Sequence, residues 1–349
     1  MAYSTISKPS DNFNIKLYTG NSSTNAQTGV GFQPDLTWFK RRDNAAQHSL
    51  FDAVRGVTKA LSSNSNSTET TISDALTSFD SDGFTLGADS GNYINYNSAT
   101  YASWNWKAGT TSGLSGGTIT PSAYSINATS GFGIYAYTGT NANGTITHGL
   151  GSAPSVIIVK NRLTSSKSWV VGLKSIGFQN ALFLNSTDAQ ASEPNLFNST
   201  APTSSVFTVG TGSLINDSGD SYIAYAFTEK TGYSKFGSYI GNGSTDGTFV
   251  YLGFKPAFVI LKVAEHAGSW LMFDNKRDGL NPNSHRVYAN GSDAEDTGSG
   301  SQIDFLSNGF KGRSSDSSTN TINNKYLYMA FAEEPLVANV GASIPATAR

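Results

Sequence analysis

The chain has 349 residues, with 23 Lys+Arg against 25 Asp+Glu and a net charge of −2. Charged residues make up only 14%, against roughly 25% in an average globular protein. This near-neutral balance excludes an electrostatic grip on nucleic acid or anionic lipid. The lack of any Cys excludes disulfides, thiolate zinc sites, iron–sulfur clusters and cysteine nucleophiles.

The opening stretch, MAYSTISKPSDN, lacks a basic start and an apolar block, so it is not read as a signal peptide. No apolar run is long enough to span a bilayer, so membrane insertion is not expected. From NIKLYTGN onward the chain repeats itself. Tyr18 of that segment returns as Tyr137 (GIYAYTGT) and Tyr239 (KFGSYIGN), at offsets of 119 and 102. Pro34 (GFQPDLTWFK) returns as Pro154 (GSAPSVIIVK) and Pro256 (GFKPAFVILK). KALSSN, NALFLN and HRVYAN end on Asn64, Asn185 and Asn290. DGFTLG, SVFTVG and NGFKGR centre on Phe84, Phe207 and Phe310. YASWNW, YIAYAF and YLYMAF start at Tyr101, Tyr222 and Tyr326.

Each element reads as a strand. YASWNW places Trp104 and Trp106 on one face, matched by Tyr225 and Phe227, then by Met329 and Phe331. SVIIVK and AFVILK are apolar, β-branched runs suited to strands covered on both faces. Gly/Asn/Asp-rich turn clusters separate the elements. The expected fold is all-β: three tandem antiparallel β-sandwich modules, jelly-roll or lectin-like, each of about 100 residues. The expected organisation is an N-terminal arm (1–12), repeat 1 (13–107), a linker (108–131), repeat 2 (132–230), repeat 3 (231–335) and a C-terminal arm (336–349). By composition the front of the linker is a flexible spacer, and its back half, TITPSAYSINA, alternates as an edge strand does. The stretch Asp52–Leu61 suits a single short helix, weakened by Gly56. The lysines closing the third strand, Lys40, Lys160 and Lys262, are expected to guard strand ends.

A search for chemistry mostly finds core and turns. None of the histidines (His48, His148, His266, His285) sits in a triad pattern, and no G-x-S-x-G elbow is present. Asp52 and Asp274 share one slot in repeats 1 and 3, where repeat 2 offers Gly172 or Leu173. This pattern suits fold upkeep better than a paired-acid glycosidase. The turns DSDG (Asp80, Asp82) and NDSGD (Asp217, Asp220) offer oxygen ligands for Ca²⁺, but turn chemistry explains them without a metal. Trp38 aligns with Ile158 and Ile260, and Trp106 with Phe227 and Phe331, as buried residues do. Trp169 and Trp270 align with each other and follow loops, so they are the candidates for ligand contact. No catalytic residue, metal or cofactor is expected, and the chain is not read as an enzyme.

YTGN, GFQPDLTWFK, LFDAVRG, KALSSN, FDSDGFTLG and Y-x-x-W-x-W-K-A-G together resemble a repeat of structural proteins of marine tailed bacteriophages, such as those of cyanobacteria. The resemblance covers nearly all of residues 13–335 and implies a non-enzymatic virion protein assembled in the host cytoplasm. It implies a tail-fibre or appendage component, with a capsid decoration protein and a carbohydrate-binding receptor-recognition module as alternatives. Expected partners are other virion proteins, a host surface glycan and further copies of the chain, in a trimer by analogy. Assembly contacts are expected from the C-terminal arm at Ile344, Pro345 and Arg349.

Overall fold

A computed structural model describes Ser4 and residues 6–335. The expected contacts at Ile344, Pro345 and Arg349 lie outside the described residues.

The first module runs through β1 (Phe13–Thr19), β2 (Asn25–Gln27), β3 (Leu36–Arg41), β4 (Ser49–Asp52), β5 (Lys59–Ala60), β6 (Thr70–Thr71), β7 (Leu76–Asp80), β8 (Gly83–Leu86) and β9 (Thr100–Trp106). The second contains β10 (Ala123–Asn127), β11 (Phe132–Thr138), β12 (Gly144–Thr147), β13 (Val156–Asn161), β14 (Val170–Leu173), β15 (Asn180–Phe183), β16 (Ala191–Ser192), β17 (Val206–Val209), the single-turn helix α1 (Ser213–Asn216) and β18 (Ser221–Phe227). The third contains β19 (Ser234–Ile240), β20 (Phe249–Tyr251), β21 (Phe254–Val263), β22 (Leu271–Asp274), β23 (Arg286–Tyr288), β24 (Ile303–Leu306), β25 (Gly309–Gly312) and β26 (Lys325–Pro335).

All paired strands are antiparallel, and one order recurs: β1-β9-β3-β4, then β11-β18-β13-β14, then β19-β26-β21-β22. In each case the strands that open and close the repeat (β1 and β9, β11 and β18, β19 and β26) are neighbours, so the repeat closes on itself. A small sheet (β2-β8-β7, β12-β17 or β20-β25-β24) covers the outer face of the larger one. Between these layers lies a core such as Tyr18, Phe39, Phe51, Phe84 and Tyr101, with counterparts in the other two units.

The inner faces of the three large sheets meet in one shared core. Trp38, Trp104 and Trp106 lie in it with Ile158, Trp169, Tyr225, Phe227, Ile260, Trp270, Met329 and Phe331. Phe13 stacks on Phe331 at 5.2 Å and approaches Phe258 at 5.6 Å, so rings from separate modules touch. Both faces of β13 and β21 are therefore buried, as their unbroken apolar runs require.

The repeated sequence elements fulfil identical tasks. Tyr18, Tyr137 and Tyr239 stack on Tyr101, Tyr222 and Tyr326 at 5.2, 5.1 and 5.2 Å. Their hydroxyls donate to the carbonyls of Ile94, Ile215 and Thr319. The glycine after each of these strands packs against backbone: a Cβ at Gly20, Gly139 or Gly241 would lie 2.0–2.2 Å from a carbonyl oxygen. Asn64, Asn185 and Asn290 accept the backbone N–H of His48, Trp169 and Trp270 through Oδ1.

Two local expectations are corrected. Residues 52–61 form no helix: Asp52 ends β4, Gly56 turns the chain at φ +92°, and β5 follows. The linker front is tied down rather than free. Thr110 bridges Ile126, Gly117 bridges Ile146, and Leu114 N donates to the Tyr124 hydroxyl. Residues 123–127 form β10 on the edge of the second sheet. Within the N-terminal arm, Ile6 lies in the shared core. Among the described residues no helix is long and apolar enough to cross a membrane.

Candidate functional site

Asp52 and Asp274 lie at seams between modules, and these seams form a ring. Glu69 N donates to the carbonyl of Arg162, Gln190 N to that of Ala264, and Glu295 N to that of Arg42. Module 1 thus grips module 2, module 2 grips module 3, and module 3 grips module 1.

Two seams carry buried ion pairs. Arg55 Nε bonds Asp52 Oδ2 at 2.6 Å, and Tyr225 of module 2 donates its hydroxyl to the same oxygen at 2.7 Å. Arg277 Nε bonds Asp274 Oδ2 at 2.5 Å, and Trp104 of module 1 donates Nε1 to it at 3.1 Å. Glu69 pairs with Arg162 and Arg55, and Glu295 with Arg42 and Arg277. Burial alone would raise the Glu69 and Glu295 carboxyls, but the arginine contacts outweigh it and hold both below the ordinary glutamate value.

The third seam is apolar at the same positions. By strand register Leu173 stands where Asp52 and Asp274 stand. Ile176 follows at the arginine position, and Met329 replaces Trp104 and Tyr225. All three lie in the shared core. Asp52 and Asp274 are therefore spent in separate ion pairs and do not face one another as a catalytic pair.

Trp169 and Trp270 are buried, at 0% and 2% exposure. Their indole N–H groups donate across a seam, to the carbonyl of Ser62 at 2.8 Å and of Phe183 at 3.0 Å. The expectation of ligand contact is corrected: both rings fill the inter-module core. His48 takes the third equivalent place, with Nε2 2.9 Å from the Tyr288 carbonyl.

The repeated lysines are also corrected. Lys40, Lys160 and Lys262 are buried, and their ammonium groups donate to backbone carbonyls instead of guarding solvent-facing ends. Lys40 reaches Ser292 of module 3, and Lys262 reaches Thr187 of module 2. Burial lowers all three to about 8.

The acidic turns are internally satisfied. Asp82 accepts the N–H groups of Gly29 and Gly31, and Asp80 accepts the hydroxyls of Ser78 and Thr85. Asp217 pairs with Lys167, and Asp220 accepts from Asn161 and Thr164. Among the described residues no group of three or more His, Asp or Glu side chains is placed to hold a metal.

Two clefts open on module 1. One, of about 650 Å³, lies against β10 and is lined by Gln33, Asp35, Lys107 and Tyr124. Asp35 there is 6% exposed, and burial raises its carboxyl above the ordinary value. Both its oxygens are engaged, by the Ser125 hydroxyl and Ala108 N. The other, of about 440 Å³, lies between β4, β5–β6 and the 91–93 turn and is lined by Gln47, Ser62, Thr68, Thr70, Asn92 and Tyr93. Sequence reading missed both. The second left a trace in the repeats: Ser62 aligns with Phe183 and Tyr288, so a short residue stands where its sisters carry rings.

Paired antiparallel sheets packed around a shared core define an all-β, sandwich-built body. The chain belongs to the family described as a domain of unknown function, DUF7483, whose profile matches residues 8–335. No curated protein and no solved structure matches it.

Proposed function

We propose that the chain is a non-enzymatic structural component of a phage virion, serving as a rigid body in a tail fibre or other appendage that contacts the host surface. The observation that carries this reading is the shared core. Three units of one topology bury large aromatic side chains against one another, and the Arg162–Glu69 and Arg42–Glu295 ion pairs cross two of the seams. A chain built in this way invests in stiffness. The resemblance of its repeats to phage structural proteins supplies the location, and neutral Ser/Thr/Asn surfaces suit a particle exposed to salt.

The closed ring bears on assembly. The inner sheet faces, which three separate chains would use to trimerise, are already occupied within this one chain. Contacts with other virion proteins therefore fall to the outer faces and the C-terminal arm. Mass spectrometry of purified particles, followed by electron microscopy with a gold-labelled antibody, tests the reading. Stoichiometric presence on the particle is the expected result. Absence from purified particles, or release of reducing ends from host polysaccharide by the pure protein, would overturn it.

A further inference from the structure

We infer that the cleft between β4, β5–β6 and the 91–93 turn binds an uncharged saccharide. Its volume of about 440 Å³ lies within the usual span of small-ligand sites, roughly 300–1,000 Å³. Its lining carries hydroxyls at Ser62, Thr68 and Thr70 and amides at Gln47 and Asn92, with no charged side chain. The Ser62 hydroxyl is turned to the His48 carbonyl and to Gln47 Oε1, so the Thr hydroxyls and the Asn92 amide are the groups that face a ligand. Hydroxyls and amides both donate and accept, which matches the hydroxyls of a sugar. The Tyr93 ring, 39% exposed at the cleft, presents an apolar surface suited to the C–H face of a pyranose. Phosphorylated, sulfated or uronate ligands would find no cation among these residues.

Comparison within the chain shows how the space arises. Ser49, Ala60, Ser62 and Thr70 hold positions occupied by Leu271, Arg286, Tyr288 and Asp296 in module 3. There Arg286 and the Tyr288 hydroxyl both bond Asp296 Oδ2 at 2.6 Å, so the equivalent region is filled by a polar cluster. In module 2, Val170 and Phe183 hold the positions of Ser49 and Ser62. The backbone task is unchanged, because the Ser62 carbonyl accepts an indole as the Phe183 carbonyl does. Only the side chains are shortened. The turn carrying Tyr93 is built as well: Asp89 and Asn92 adopt φ +52° and +61°, and Asp89 Oδ2 accepts the N–H groups of Ile94 and Asn95. The inference does not rest on the virion reading, since the same cleft would serve a saccharide in any setting.

The test is titration calorimetry of the full chain with gluco-, manno- and galacto-oligosaccharides, alongside uronate and sulfated oligosaccharides. We expect at least one neutral series to bind with submillimolar Kd. Tyr93→Ala and Ser62→Phe should each weaken it tenfold or more, whereas Tyr251→Ala, on the exposed outer sheet of module 3, should not. If Ser62→Phe fails to fold, the exposed Tyr93→Ala carries the test alone. Lack of any neutral binding at millimolar concentration, preference for acidic glycans, or binding indifferent to Tyr93→Ala would overturn the inference.

Discussion

The indole Nε1 of Trp38 donates to Nδ1 of His48 at 2.8 Å. This bond leaves the His48 proton on Nε2, which faces the Tyr288 carbonyl of module 3. The other modules place Ile158 with Trp169 and Ile260 with Trp270, so a large–small pair is inverted in module 1. Trp38→Ile alone leaves a void and an orphaned ring nitrogen and should cost about 2–4 kcal/mol. His48→Trp alone overfills the same space and should cost about 1–3 kcal/mol. The double variant restores the sister arrangement and should melt close to the parent. Equal or additive losses in thermal unfolding would refute this exchange.

The buried ion pairs allow a similar swap. Arg55 lies between Asp52, Glu69 and the carbonyls of Leu50 and Lys59. Replacing Arg55 by Ile leaves a buried carboxylate unpaired, which typically costs about 3–5 kcal/mol. The triple change Asp52→Leu, Arg55→Ile and Tyr225→Met installs the apolar seam and should recover at least half of that loss. Denaturant midpoints of the two variants decide the matter; a triple variant no better than the single one would exclude interchangeability.

Much of this was legible in the sequence, because repeats act as an internal alignment. Trp106, Phe227 and Phe331 were readable as core since the position exchanges one large ring for another, and an all-β fold followed from strand-length alternation and turn clusters. The partner of each buried face was not legible. Trp104 and Trp106 share a face in any strand, but nothing local says that the face meets Phe258 of another module. For the same reason Trp169 and Trp270 read as ligand contacts, and the buried lysines read as surface guards. Alternation reports which face a residue occupies, and the shared core decides what covers it.

The lysines give a pH dependence. Lys40, Lys160 and Lys262 fall to about 8 in the folded chain because burial disfavours their charge. Unfolded lysine titrates near 10.4, so between about pH 8 and 10 the unfolded state holds more protons and stability rises with pH. Buried tyrosines act oppositely above about pH 10. Burial raises Tyr101 and Tyr222 to about 12, so the folded state then holds more protons and stability falls. A melting-temperature profile should rise from pH 8, peak near 10 and then decline. Replacing all three lysines with Met should flatten the rising limb; a wild-type profile that falls steadily from pH 8 would contradict the assignment.

The same shared core governs how the chain unfolds. Three modules of separate sequence would ordinarily be expected to melt as separate units. Here Trp38, Ile158 and Ile260, one from each module, lie in the same cluster with Phe13, Phe227 and Phe331. A module that opened alone would expose its own inner face and uncover parts of the other two. Each seam is also closed by an indole or imidazole reaching a neighbouring carbonyl, so every module both gives and receives a bond across the ring. Calorimetry should therefore show one transition, with van't Hoff and calorimetric enthalpies in agreement. A fragment spanning residues 132–230, deprived of both partners, should lack fixed near-ultraviolet circular dichroism. Three resolved transitions, or a fragment with native-like aromatic signals, would mean that the outer cores hold each module by themselves and that the central aromatic cluster contributes little to cohesion.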